Sequence, residues 1–234
     1  MSGAMTTRWS LVLAARGLNA DGRDALGELC ENYRPVILAF FRRQDDPQLA
    51  EDRTQAFLLH FLENGLHARA DASRGTFRAF LFTSVRNHWH EAMRREGARK
   101  RQGGSEAGEA VLAEMASPDP GPEQQFDRDW ALNVFARAQA QLRHEATSAG
   151  RAALFDAVQG FLLEAPEPSD YTRIGAAMAM PANTVAVAVK RLRERVRALV
   201  QQELGDTLPP GSDLAVEMNW LRQSLRNAGG SGSS

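Results

Sequence analysis

The feature that most constrains this chain is an apolar repeat with helical spacing, which recurs along most of its 234 residues. Between Asp24 and Arg43 the apolar residues fall three or four positions apart, so they share one face of an α-helix. They are Leu26, Leu29, Cys30, Tyr33, Val36, Ile37, Phe40 and Phe41. No segment shows the run of alternating apolar and polar residues that is typical of a half-buried strand. The pattern predicts an all-α protein.

Turn-forming residues divide the chain into several predicted helices. Pro35 predicts a kink or a break within the first of them. Further helices are predicted over residues 49–64, 76–101, 130–143, 151–163, 171–178, 184–204 and 213–226. Residues 103–125 hold several Gly and Pro residues and many acids, which predicts a flexible linker between two helical regions.

Composition excludes several classes of protein. A single cysteine, Cys30, excludes a disulfide framework and a multi-thiolate metal site. No apolar run approaches the ~18 residues that a membrane-spanning helix needs, and residues 1–17 lack the pattern of a signal peptide. We therefore expect a cytoplasmic protein. Residues 1–4 and 229–234 are expected to be vector-derived additions.

The sequence contains no pattern typical of a catalytic or cofactor-binding site. It lacks a nucleophile–His–acid set, a paired-carboxylate pattern and a phosphate-binding Gly loop. His88 and His90 have no further metal ligands at a suitable spacing, so we expect them to face solvent. We accordingly expect no enzyme activity, no cofactor and no metal.

The formal net charge of −1 conceals a strong separation of charge along the chain. Residues 86–101 hold six basic and two acidic residues, a charge of +4. Residues 103–129 carry −6, and residues 189–197 carry +4. Two basic segments flank an acidic one, which keeps nucleic-acid binding open despite the neutral total.

Residues 171–204 have the pattern of a helix-turn-helix. Met180 is predicted to plug the turn, and Val185, Val189 and Leu192 form an inward stripe on the second helix. A second helix presented in this way can enter a major groove, with basic later turns over phosphates. A helical hairpin with a solvated basic face explains the same pattern. The side chains left on its outer faces are Asn183, Thr184, Val187, Lys190, Arg191, Arg193 and Arg195.

The segment YTRIGAAMAMPANTVAVAVKRLRERVRAL resembles the promoter-reading helix-turn-helix of extracytoplasmic-function (ECF) sigma factors, the small alternative sigma subunits of bacterial RNA polymerase. Ile174, Met180, Thr184, Val185 and Arg191 match the family pattern. Arg173, Pro181, Asn183 and Ala186 depart from it. The resemblance implies that the seven outward-facing residues above contact the −35 element, with an atypical preference because Ala186 replaces a Lys.

A second family signature lies upstream, where AEDRTQAFLLHFLENG is similar to the segment that docks on the clamp helices of the polymerase β′ subunit. Glu51, Asp52 and Gln55 match, whereas Leu49, Arg53 and Ala56 depart from the pattern. The resemblance implies that the docking residues are Glu51, Asp52, Arg53, Gln55 and Phe57.

The following segment, RGTFRAFLFTSVRNHWHEAMRREGARKR, resembles the family's −10-reading helix. In the family, the loop before this helix holds a flipped base; here that loop is Arg69–Thr76. Aromatic and basic residues suit single-stranded DNA, although core packing is the preferred explanation for Phe77, Phe80 and Trp89. The −10-binding residues implied are Arg74, Arg78, Arg86, Asn87, Arg94, Arg95, Lys100 and Arg101.

The resemblance implies a domain order. A sigma region 2 domain would span residues 7–102, a linker 103–125, a sigma region 4 domain 126–208 and a helical extension 209–228. The implied partners are core RNA polymerase, through the β′ clamp helices and the β subunit, and promoter DNA. The opening TRWSLVLAA, the segment GRAALFDAVQGFLL and the C-terminal extension resemble a branch of the family that is associated with Ser/Thr protein kinases. This resemblance implies a kinase as a partner, with Thr54 as the candidate phosphosite; the alternative is a Thr54 hydroxyl bonded to the carbonyl one turn back.

Two other functions remain open at this point. A stand-alone helix-turn-helix regulator would bind duplex promoter DNA without polymerase. A polymerase-binding decoy would bind the core enzyme without starting transcription, as the departures at Arg53, Ala56 and Ala186 would allow.

Overall fold

The computed structural model describes residues 20–63, 75–102, 121–205, 207–208 and 211–229. These residues form eight α-helices and no strand, which confirms the all-α prediction for the described part of the chain. The predicted loop up to Arg74, most of the predicted linker, and residues 1–4 and 230–234 of the predicted vector-derived ends lie outside the described residues. The helices are α1 (Ala20–Arg42), α2 (Pro47–Glu63), α3 (Phe77–Gln102), α4 (Pro122–Ser148), α5 (Ala152–Val158), α6 (Pro168–Ala177), α7 (Ala182–Gly205) and α8 (Leu214–Gly229).

Several helix boundaries differ from the predictions for identifiable reasons. Helix α1 runs through Pro35 as one element. Helix α2 begins at Pro47 because the Asp46 carboxylate accepts the backbone N–H groups of Gln48 and Leu49, both at 3.1 Å. Helix α4 begins at Pro122, since proline suits the first helical position, so residues 122–125 are helical rather than linker. A 3₁₀ turn, Gln159–Leu162, replaces the end of the helix predicted over residues 151–163.

The chain divides into two compact units whose limits differ from the predicted domains. One unit is Met1–Asn133 together with Asp206–Ser234, and the other is Val134–Gly205. The predicted second domain began at residue 126, but the first part of α4 packs in the first unit. The C-terminal extension, which includes α8, also belongs to the first unit.

Aromatic side chains dominate the core of the first unit. Tyr33 of α1 stacks on Trp130 of α4, with ring centroids 4.8 Å apart, and contacts Phe77 of α3 at 5.0 Å. Phe82 and Phe126 bring α3 and α4 together in the same way, at 5.3 Å. Burying large aromatic side chains stabilises each of these contacts by both apolar area and ring geometry. The apolar stripe predicted for α1 lies in this core from Leu29 to Phe41.

Within the described residues, no helix combines the length and apolar character needed to cross a membrane.

Candidate nucleic-acid interface

The second unit contains the predicted helix-turn-helix, formed by α6, a four-residue turn and α7. Helix α6 starts with a capping box, in which Glu167 and Asp170 each bond the backbone of the other. At its other end the N–H of Met180 donates to the carbonyl of Gly175 at 2.8 Å, and Ala179 adopts a left-handed conformation with φ of 52°. These are the marks of a Schellman ending, which turns the chain sharply toward α7.

Gly175 lets the turn fold back closely on α6. A Cβ atom at this position would lie 2.6 Å from the carbonyl oxygen of Met180 and 3.3 Å from the nitrogen of Ala182. Both are backbone atoms and cannot move aside independently of the turn. Gly175 is therefore required at this crossing, whereas the neighbouring Ala176 and Ala177 are exposed.

The predicted inward face of the motif is confirmed. Ile174, Val185 and Val189 are buried with Val158 in one apolar cluster. Met180 and Leu192 pack against that cluster, as expected for a turn plug and the last residue of the stripe. The burial fixes which side of α7 faces the core and leaves the opposite side for a ligand.

The outer face of α7 presents most of the predicted −35-binding residues. Asn183, Thr184, Val187, Lys190 and Arg191 are exposed. Lys190 and Glu194 lie 4.0 Å apart with both side chains mostly in solvent, which leaves Lys190 largely available. The first turns of α7 thus carry polar side chains and one exposed apolar residue, with basic groups following, an arrangement that suits a duplex groove.

The other two predicted −35 residues are bound within the unit. Arg193 donates from Nε to the carbonyl of Phe161 at 2.6 Å and from Nη2 to the carbonyl of Glu164. Arg195 makes a two-pronged pair with Glu145, at 2.9 and 2.6 Å. These hydrogen bonds hold the pKa of Glu145 below its ordinary value and raise that of Arg195. Both arginines therefore anchor α7 to the rest of the unit.

A groove of about 500 Å³ runs beside the outer face of α7. Leu142 and Leu154 contribute to its apolar floor, and Arg151, Arg191 and Arg195 contribute its basic groups. Thr184, Val187 and Arg191 line the groove as well as the outer face, so the surface next to the candidate DNA-binding residues is concave.

In the first unit, α3 carries the predicted −10-binding residues. Arg86, Asn87, Arg94 and Arg95 are exposed. Arg86, Asn87 and Arg94 lie on one side of the helix, because spacings of seven and eight residues bring side chains back to the same face. Arg95 pairs with Glu91 one turn earlier. Arg74 lies outside the described residues, as do the side chains of Lys100 and Arg101.

Arg78 differs from Arg86, Asn87, Arg94 and Arg95 because its side chain is only 17% exposed. Its guanidinium pairs with Asp127 of α4, and its Cζ lies 3.9 Å from the ring centroid of Trp220 in α8. No sequence pattern links these three residues, which come from distant parts of the chain.

The aromatic residues of α3 have structural roles. Phe77 and Phe82 are buried, while Phe80 and Trp89 are half-buried. His88, expected to face solvent, is half-buried against Phe57 and His60. Burial is the largest of the causes that lower the pKa of His88, and the nearby His60 is the second largest. Core packing therefore accounts for Phe77, and the expectation for His88 was wrong.

Only part of the predicted polymerase-docking set lies on the surface of α2. Asp52 and Gln55 are exposed, and Glu51 is half-buried and pairs with Arg34 and Arg42. Phe57 is fully buried, and Arg53 lies between Asp45 and Glu96, 2.9 Å from each. Arg53 and Phe57 thus stabilise the unit, and an interacting protein could reach the other three.

Two apolar residues on the same side of α2 were not predicted as site residues. Leu49 and Leu59 are 37% and 56% exposed. Together with Asp52, Gln55 and exposed Ala56 they form a mixed apolar and polar face, here called the α2 face. The spacing of 49, 52, 56 and 59 was the available signal, because it repeats every three or four residues.

Thr54 is fully buried, and its hydroxyl donates to the carbonyl of Ala50 at 2.7 Å. This is the bond that a Thr side chain commonly makes within a helix. The folded chain does not present the hydroxyl to a kinase.

Cys30 is half-buried, and burial raises the pKa of its thiol to about 11, so it is protonated at neutral pH. Within the described ranges, no three His, Cys, Asp or Glu side chains are arranged to hold a metal ion.

No protein-family model, curated protein or solved structure matches this chain.

Proposed function

We propose that this chain is an alternative sigma factor that directs bacterial RNA polymerase to specific promoters. The observation that carries the proposal is the helix-turn-helix of the second unit, whose α7 presents Asn183, Thr184, Lys190 and Arg191 outward. Its outward residues lie where the family resemblance expects contacts to the −35 element. The proposed partners are core polymerase and promoter DNA, and the proposed location is the cytoplasm.

The first unit would supply the other two activities of a sigma factor. The α2 face offers Asp52, Gln55 and Leu59 to the β′ subunit. The exposed side of α3 offers Arg86, Asn87 and Arg94 to a melted −10 strand, through phosphate contacts and hydrogen bonds to unstacked bases.

Phosphorylation at Thr54 belongs to the same proposal under one condition. Because the hydroxyl is buried, a Ser/Thr kinase would have to act while α2 is locally open. Thr54→Ala is expected to abolish kinase-dependent transcription; full retention of that dependence would remove Thr54 as the site.

In vitro transcription with purified core polymerase and a genomic promoter library tests the function. We expect specific transcripts that require this chain and that weaken with Arg191→Ala. Gln201→Ala, an exposed and uncharged change later on the same helix, is the matched control and should leave transcript levels within about twofold.

Two results would favour the other functions. Specific binding to duplex promoter DNA without polymerase would indicate a stand-alone regulator. Co-purification with the core enzyme without any specific transcript would indicate a decoy.

A further inference from the structure

The C-terminal helix α8 covers Arg78, one of the residues that the family resemblance assigns to −10 binding. The Cζ atom of Arg78 lies over the ring of Trp220, 3.9 Å from the ring centroid, while Asp127 pairs with Nη1 of the same guanidinium. The guanidinium therefore already has an aromatic partner and an acidic partner. A DNA phosphate or base would have to compete with both contacts.

The attachment of α8 to this part of the first unit extends beyond Trp220. Met218 and Leu221 of α8 are buried, as is Leu208 just before it. The backbone N–H of Phe77 donates to the carbonyl of Thr207 at 3.3 Å. Because Phe77 is the first residue of α3 and adjoins Arg78, the C-terminal extension contacts the start of the helix proposed to bind DNA.

The side chains that cover Arg78 include an acid from α4 as well as the Trp220 ring of α8. Asp127 is an acid that takes the place a phosphate would occupy beside Arg78. Arg86, Asn87 and Arg94, further along α3, remain exposed. The cover is thus local to the start of α3 and leaves the rest of the basic surface open.

We propose that α8 is an autoinhibitory element, which holds Arg78 away from DNA until α8 is displaced. The proposal rests on the proposed function, because it assumes that the start of α3 binds the −10 strand. It predicts that the free chain binds single-stranded DNA more weakly than a chain whose Arg78 is released.

The test measures binding of the full chain to a fluorescein-labelled, mixed-sequence single strand of twenty nucleotides, by anisotropy at low salt. Trp220→Leu removes the ring and keeps apolar bulk, so we expect affinity to rise about fivefold, the size of one cation–π contact. Trp220→Phe keeps a ring and should stay near wild type. Val216→Ala, at an exposed site of α8, is the matched control.

Two further variants tie the effect to Arg78. Asp127→Asn, a change in α4, removes the acid that pairs with Arg78 and should also raise the affinity for DNA. This variant keeps the test valid if Trp220→Leu does not fold. Adding Arg78→Ala to Trp220→Leu should remove the gain. A gain that survives Arg78→Ala, or no gain in either single variant, would overturn the proposal.

Chemical labelling separates failure of this inference from failure of the proposed function. Phenylglyoxal modification of Arg78, followed by mass spectrometry, reports its accessibility without DNA. If labelling stays unchanged in Trp220→Leu, the cover itself is disproved and the proposed function is untouched. If labelling rises while DNA affinity does not, autoinhibition is overturned because Arg78 does not bind DNA, and the −10 assignment fails with it.

Discussion

At the scale of single residues, Ala179 stands in a backbone conformation that favours glycine. Its φ of 52° lies in the left-handed region, where a Cβ atom costs ~1–2 kcal/mol. The Schellman bonds around it and the close approach at Gly175 leave the turn no other geometry. The turn therefore holds a strained alanine beside a required glycine.

Replacing this alanine should stabilise the protein. Ala179→Gly relieves the strain but makes the unfolded chain more flexible, at a cost of ~0.4–1 kcal/mol. We expect a net gain of ~0.5–1 kcal/mol in the free energy of unfolding, measured by urea titration of the full chain. Ala176→Gly, on the exposed side of α6, is the control and should lose a similar amount. A loss for Ala179→Gly would contradict the strain argument.

Arg53 is the other residue whose role the structure changes. Its side chain is 8% exposed and that of Asp45 is 7% exposed, with Nε and Oδ2 2.9 Å apart but poorly aligned for a hydrogen bond. Burial raises the pKa of Asp45 above its ordinary value, and Arg53 opposes that shift. Arg53 thus compensates a carboxylate that would be costly to bury alone.

This arrangement predicts a pH-dependent loss of stability in Arg53→Ala. A raised pKa means that the folded chain binds a proton which the unfolded chain releases. The stabilisation that comes from proton binding to Asp45 is therefore complete below the ordinary pKa of an Asp carboxyl. It is lost as pH rises through the raised pKa of the folded state. Without Arg53 the pKa rises further, so the loss should grow from about 1 kcal/mol at pH 3 to about 3 kcal/mol at pH 7.

Urea titrations of Arg53→Ala at both pH values measure this difference. The double variant Arg53→Ala/Asp45→Asn removes the titrating group and should show the same loss at each pH. An equal loss at both pH values in Arg53→Ala alone would show that Asp45 is not the group involved.

At the scale of the element, α7 carries two kinds of basic side chain that its sequence does not distinguish. Arg191 is exposed, whereas Arg193 bonds the carbonyls of Phe161 and Glu164. The 3₁₀ turn and the chain after it therefore place two carbonyls within hydrogen-bonding distance of Arg193. A single basic run thus combines an anchoring residue with a residue available to ligands.

Substitutions of these two arginines should affect different measurements. Arg193→Ala leaves carbonyls without their charged donor and should cost about 2 kcal/mol of unfolding free energy. Arg191→Ala should leave stability within about 0.5 kcal/mol and weaken binding to a duplex of fixed sequence. Thermal melts and anisotropy on the same preparations separate the effects. A stability loss with Arg191→Ala as large as with Arg193→Ala would refute this division.

At the scale of the whole molecule, the spacing of apolar residues predicted the helices better than it predicted which side chains pair with one another. The helices and the inward stripes of α1 and α7 follow from spacing alone, because burial of one face dictates it. Arg53, Arg78 and Arg195 each contact a residue on another helix, and these partners lie between 43 and 142 positions away in the sequence. Local sequence holds no record of such neighbours, so it did not predict that these three arginines, expected to contact ligands, pair within the protein.

Charge is also a property of the whole molecule. The formal total is −1, yet one segment with a net negative charge lies between two segments with a net positive charge. Non-specific DNA affinity depends on how many phosphates the basic residues neutralise and on the field of nearby acids. A neutral total with separated charges therefore predicts weak binding by the free chain, together with basic surfaces that act once a partner positions them.

Neutralising the acidic segment tests this balance. Changing Glu106, Glu109 and Glu114 to Gln moves the formal charge from −1 to +2. We expect tighter binding to mixed-sequence duplex DNA at 50 mM salt, by about threefold to tenfold, and a steeper loss of affinity by 200 mM salt. The matched Glu→Asp triple variant keeps the charge and should behave as wild type. An unchanged affinity in the Gln variant would mean that the acids do not restrain the basic surfaces, and that weak binding by the free chain must have a local cause such as the cover over Arg78.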